Sequence, residues 1–138
     1  MELSRKDISY IIDKIRNYVI KDNELNNLLC IDTEFEGDDL IYGVTNEFLS
    51  EFIELLSGNK INVLGEVEKL YTCPCCGYMT LTEKYDVYEG TGYCICPFCR
   101  WEDNGTTDIH KYTSLNRGSI LDYRNMLNDK KTNKWIKS

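Results

Sequence analysis

Two short cysteine motifs carry the chemistry that this sequence can do. Cys73-Pro74-Cys75-Cys76-Gly77 and Cys96-Pro97-Phe98-Cys99 each contain a C-x2-C pair, and nineteen residues separate Cys76 from Cys96. Sulfurs two residues apart on a tight turn can face one ion, and two such pairs at this spacing read as a tetrahedral thiolate zinc site. The proline in each pair stiffens its turn, and Gly77 supplies the permissive backbone that lets the first one fold back into a strand. One zinc ion on Cys73, Cys76, Cys96 and Cys99 is therefore expected. Four thiolates leave no coordination position open, so the ion is expected to hold structure and to do no chemistry. The competing reading is a thiol–disulfide pair, which gains its reactivity at a helix N-terminus. Here the strand formers Tyr78-Met79-Thr80-Leu81-Thr82 follow the first pair instead.

The remaining groups add little reactivity. Cys75 lies between two expected ligands and Cys94 two residues before a third. They could exchange into the site or pair with each other, but small adaptable packing residues are the plainer reading. Cys30 is expected in the core. His110 is the sole histidine and has no partner motif, which points to an exposed loop residue rather than a catalytic base. With no open metal site, phosphate loop or nucleophile–base pair in view, an enzyme is not expected.

The elements that must position the cysteines can be read from periodicity. Ser4 and Asp7 form a capping pair, and Ile8, Ile11, Ile12, Ile15 and Val19 follow at helical spacing, predicting a helix over 4–21. Leu25, Leu28 and Leu29 allow a further turn. Period-two patterning over Cys30–Thr45, broken by Gly37-Asp38-Asp39, predicts an acidic β-hairpin. Thr45 or Asn46 then caps a second helix carrying Phe48, Leu49, Phe52, Ile53 and Leu56, which Gly58 ends. Lys60–Leu70 is ambiguous: Ile61, Val63 and Leu64 fit a strand, Val67 and Leu70 fit a helical turn, and Gly65 interrupts either. From Tyr71, two knuckles on successive hairpins predict a zinc ribbon, and Ser119 with Asp122 caps a last helix bearing Ile120, Tyr123 and Leu127. The basic tail from Lys130 is expected to be frayed. The fold class is α+β: a small zinc ribbon (71–138) packed with an N-terminal helix-hairpin-helix layer (1–70) and a C-terminal helix.

Charge separates the two halves more sharply than hydropathy does. Residues 1–70 hold fifteen acidic and seven basic side chains, whereas 71–138 hold eight and nine. Between Asp22 and Asn59 there is no lysine, arginine or histidine, but there are ten acids: Asp22, Glu24, Asp32, Glu34, Glu36, Asp38, Asp39, Glu47, Glu51 and Glu54. Such a field repels phosphate backbones and attracts basic partners, and the stretch reads equally as a docking face or as a merely solvated surface. No apolar run is long enough to span a membrane and no signal-peptide pattern follows Met1, so a reducing cytoplasmic location is expected. The odd count of seven cysteines also suits a metal site better than a disulfide framework.

Tyr71-Thr72-Cys73-Pro74-Cys75-Cys76-Gly77-Tyr78, Tyr93 with Ile95-Cys96-Pro97-Phe98-Cys99, Trp101-Glu102-Asp103, and Asn116 with Ser119-Ile120 and Arg124-Asn125 together resemble the cysteine-rich CPCC domain family over roughly residues 71–127. Cys94 stands where that family more often has a polar residue. The resemblance implies a metal-binding ribbon in a bacterial protein, and some members sit among toxin-immunity genes. The first functional expectation is thus a non-enzymatic, zinc-stabilised binding protein of immunity type. It would take a basic partner, such as a toxin nuclease, on Asp32, Glu34, Glu36, Asp38, Asp39, Glu47, Glu51 and Glu54. The alternative is a nucleic-acid-binding or regulatory ribbon that stacks bases on Tyr71, Tyr78, Tyr85, Tyr88, Tyr93, Phe98 and Trp101. Core packing is the simpler use for those rings.

Overall fold

In the computed structural model, which describes residues 1–29 and 40–138, the Ser4 side chain accepts from Asp7 N–H at 3.1 Å and Asp7 returns a bond to Ser4 N–H. That reciprocal cap starts helix α1 (Arg5–Lys21), which buries Ile8, Ile12 and Val19 along one face, as the sequence spacing predicts. A short helix α2 (Asn23–Leu29) follows directly. Thr45 caps helix α3 (Asn46–Ser57) by accepting from Phe48 N–H, and Gly58 ends it in the left-handed conformation. Phe48, Leu49, Phe52 and Ile53 form its buried face.

Val63 and Leu64, which fit a strand in the sequence, do lie in one, but its partner near the N-terminus leaves no such signal. Strand β1 (Glu2–Ser4) pairs in parallel with β2 (Asn62–Leu64), with Leu3 opposite Val63. Each strand is three residues long, too short for a period-two pattern to register. The first strand of the predicted hairpin lies outside the described residues. Its second strand is not formed: Leu40 and Ile41 are helical, and Tyr42 and Gly43 make a turn. A buried arginine explains this outcome. Arg5 donates to the carbonyls of Ile41 and Val44 at 2.9 and 2.7 Å, to Asn46 Oδ1 at 2.7 Å, and in a two-pronged ion pair to Glu68 at 2.6 and 3.1 Å. Gly43 N–H also donates to Glu68 at 2.8 Å. Carbonyls recruited to one guanidinium cannot also form a strand ladder, so tertiary hydrogen bonding overrides the strand propensity of Leu40–Val44.

The chain divides into two units, Met1–Glu68 and Lys69–Ser138. In the second, β3 (Tyr71–Thr72) pairs antiparallel with β4 (Met79–Leu81), and helix α4 (Ile120–Leu127) begins at a Ser119–Asp122 cap. Its core packs Tyr78, Leu81, Trp101 and Ile120 around Cys73, Cys75, Cys76, Cys96 and Cys99. The mixed α+β class holds. The tail is not frayed: Met79 N–H donates to Ile136 O at 2.8 Å, Ser138 N–H to Gly77 O at 3.0 Å, and Tyr78 bridges Lys137.

Candidate metal centre

The two cysteine motifs fold into the same turn twice. In the first, Gly77 N–H donates to Cys73 O at 3.0 Å and Cys73 N–H to Tyr78 O at 2.8 Å; in the second, Arg100 N–H donates to Cys96 O and Cys96 N–H to Trp101 O, both at 2.9 Å. The flanking residues match as well, since Thr72 pairs with Met79 and Ile95 with Glu102. Each turn closes through a left-handed residue, Gly77 at φ 78° and Arg100 at φ 71°. Glycine takes that conformation without a Cβ penalty, whereas arginine bears about 1–2 kcal/mol of strain. The repeat places two sulfurs of each turn against two of the other.

Cys73 Sγ lies 3.6 Å from Cys99 Sγ, Cys76 Sγ lies 3.7 Å from Cys96 Sγ, and all four ligand atoms fall within 4.8 Å of one another. A tetrahedral ion bound at about 2.3 Å by thiolates has sulfurs about 3.8 Å apart, so the cage has the right edge for one ion. All four residues are buried. Hydrogen bonding among the sulfurs makes their protonation unequal. Bonds from Cys73, Cys76 and Cys99 hold the Cys96 thiol far below the usual range. Cys73 is pushed up by Cys76 and Cys96, and Cys99 by Cys73 and Cys75. Cys76 also rises, the lowering contact with Cys73 being outweighed by Cys96 and Cys99. Sulfurs this close repel one another when several ionise, and a divalent ion among them would reverse that logic and deprotonate all four. Two donors already face Cys96 Sγ, the Cys99 N–H at 3.4 Å and the Thr80 hydroxyl at 3.1 Å.

The stretch around α4 fastens the turns from outside. Asn116 brackets the chain leaving the second turn, accepting from Glu102 N–H at 2.8 Å and donating to Glu102 O at 3.0 Å. Tyr123 donates to Asn116 O at 2.8 Å and packs edge-on against Trp101. Ser119 caps α4, the Ile120 carbonyl takes the Cys75 thiol at 3.8 Å, and Arg124 donates to Cys75 O at 2.7 Å and Pro74 O at 3.1 Å. Asn116, Ser119, Ile120 and Arg124 belong to the last of the resembling motifs, and these contacts account for each of the four.

Other predicted residues fall apart from the cage. Cys75 is buried beside it and Cys94 half-buried near Thr82; both are free thiols outside the four-sulfur group. Cys30 lies outside the described residues, as do Asp32, Glu34, Glu36, Asp38 and Asp39. His110 is exposed, its N–H turned back to Asp108. Of the aromatic set, Tyr78 and Trp101 are core and Phe98 packs on Tyr78, whereas Tyr71, Tyr88 and Tyr93 are exposed. Glu47, Glu51 and Glu54 are exposed on α3 and share an open groove of about 580 Å³ with Asn62, Val63 and Leu64. Sequence reasoning missed Arg5 and Lys137, whose partners include backbone carbonyls, and Glu68, which accepts from Arg5 and the Gly43 N–H; no side-chain pattern reveals such backbone partners.

The buried four-cysteine cage on paired turns is a cluster that could hold one metal ion. Residues 71–128 match the family model described as cysteine-rich CPCC. Comparison with curated proteins and with solved structures finds no match.

Proposed function

We propose that this is a non-enzymatic binding protein of immunity type, with one structural zinc ion stapling the CPCC unit and an acidic surface on the other unit capturing a basic protein. The cage supports the staple: four thiolates complete a tetrahedron and leave no position for a substrate. Zinc suits the role because it prefers such a site and brings no redox chemistry of its own.

One observation carries the docking half of the reading. Glu47, Glu51 and Glu54, spaced by four and three, line a single groove along α3, with Lys60 as its one basic lining residue. Complementary charge speeds encounter with a basic partner and disfavours wrong ones. Changing all three glutamates to lysine should slow association with basic toxin nuclease domains, steeply at low salt and less at high salt, while the fold survives. Equal association rates for the reversed and unmodified proteins would sink the docking reading. Tight binding of a single-stranded oligonucleotide by the unmodified protein would favour the ribbon's alternative use.

A further inference from the structure

The outward carbonyls of the first knuckle are all taken, and all by one stretch of chain. Arg124 holds Pro74 O and Cys75 O, Lys137 Nζ donates to Cys76 O at 2.6 Å, and the Ser138 N–H and hydroxyl both reach Gly77 O, at 3.0 and 2.9 Å. The family match ends at residue 128, so Lys137 and Ser138 lie beyond it. In the second knuckle, no hydrogen bond reaches the carbonyls of Pro97, Phe98, Cys99 or Arg100 among the described residues.

Neutral donors would satisfy carbonyls, yet two of the three residues used are cations. Lys137 is also held over the Tyr78 ring, 4.5 Å from its centroid, and Gly77 leaves the space it occupies: a Cβ there would stand 3.1 Å from Lys137 Nζ. The outer side of this knuckle opens on a basin of about 1150 Å³, so burial alone does not shield it. Four thiolates around a divalent ion retain two negative charges, and cations held against the knuckle backbone offset them in a medium less polar than water. We infer that Arg124 and Lys137 are positioning residues of the metal centre, clamping the first knuckle and balancing the charge of the loaded cage. The tail is thus part of the centre rather than an appendage to it.

The inference rests on the metal staple proposed above and on nothing about the partner. Its test is the rate at which zinc passes from the loaded full-length chain to a colorimetric chelator. Lys137→Met keeps the aliphatic packing but removes the charge, and Arg124→Gln removes the guanidinium; each should speed transfer about 10- to 100-fold, the usual effect of removing an outer partner of a metal ligand. Lys137→Arg should restore the wild-type rate. Ser138→Ala should leave it unchanged, because the backbone N–H still reaches Gly77 O. Should Arg124→Gln fail to fold, the Lys137 pair decides alone. Transfer from Lys137→Met at the wild-type rate overturns the inference, as does Lys137→Arg losing zinc as fast as Lys137→Met. A wild-type chain that holds no stoichiometric metal defeats the staple reading itself, an outcome seen before any rate is measured.

Discussion

The first and second knuckles are alike toward the metal cage and unlike on their outer sides. Within the cage they share backbone hydrogen bonds, flanking pairs and a left-handed closing residue. Outside it, the first is gripped at four consecutive carbonyls, whereas among the described residues no hydrogen bond reaches the corresponding carbonyls of the second, and Asn116 brackets the chain just beyond it at Glu102. Two halves of a metal site can therefore match in ligand geometry and differ in how firmly they are kept closed. On the reading proposed above, the sulfurs supply the shared affinity and the surrounding chain sets which half opens first.

The largest effect should come from breaking the likeness at a ligand. Cys73→Ser or Cys96→Ser should abolish stoichiometric metal binding and unfold residues 71–105, read by metal content and circular dichroism, whereas Cys94→Ser should keep both. Structural zinc is worth about 10–16 kcal/mol in small sites, comparable to the whole stability of a small domain. A next, smaller effect uses the unit that has no cysteine cage as reference. Arg5→Met leaves Glu68 with the Gly43 N–H but no cation and should cost about 1.5–3 kcal/mol in urea unfolding of residues 1–68, with metal content unchanged.

The closing residues give a third contrast, in opposite directions for the two knuckles. Gly77→Ala imposes a Cβ at φ 78° beside Lys137 Nζ and should destabilise by about 1–2 kcal/mol. Arg100→Gly relieves strain at φ 71° while adding freedom to the unfolded chain, and should stay within about 1 kcal/mol of neutral. Chelator titration of thermal unfolding compares them directly. The outer grip should also show in reactivity: under partial chelation, alkylation should reach Cys96 and Cys99 before Cys73 and Cys76.

Acid should act on the first unit through Glu68. Burial pushes that carboxyl up, but hydrogen bonds and charge from Arg5, with the Gly43 N–H, outweigh it and leave the group below its usual value of 4.5. A group lowered in the fold stabilises above its unfolded pKa, and that contribution is lost as pH falls through the folded value. Stability of residues 1–68 should thus decline below about pH 4.5, and Glu68→Gln should flatten the decline measured by urea titration.

Local signals were legible wherever a few neighbouring residues decide the structure. The Ser4–Asp7, Thr45–Gly58 and Ser119–Asp122 boundaries follow from capping chemistry, and the cage follows from cysteine spacing. What escaped the sequence is governed by contacts between distant positions. Glu2–Ser4 pairs with Asn62–Leu64 across sixty residues, Arg5 gathers the carbonyls of Ile41 and Val44, and Lys137 reaches back to Cys76. In each case a backbone carbonyl or N–H is the partner, and backbone groups leave no mark in composition or periodicity. The tail shows the error most plainly, because a run of lysines reads as solvated until its carbonyl partners are known.

X-ray absorption at the metal edge, on protein purified without chelator, tests the central claim most directly. The account predicts one zinc per chain with a first shell of four sulfurs at about 2.3 Å. A shell containing nitrogen or oxygen, or protein that is folded over 71–138 with no stoichiometric metal, would contradict it.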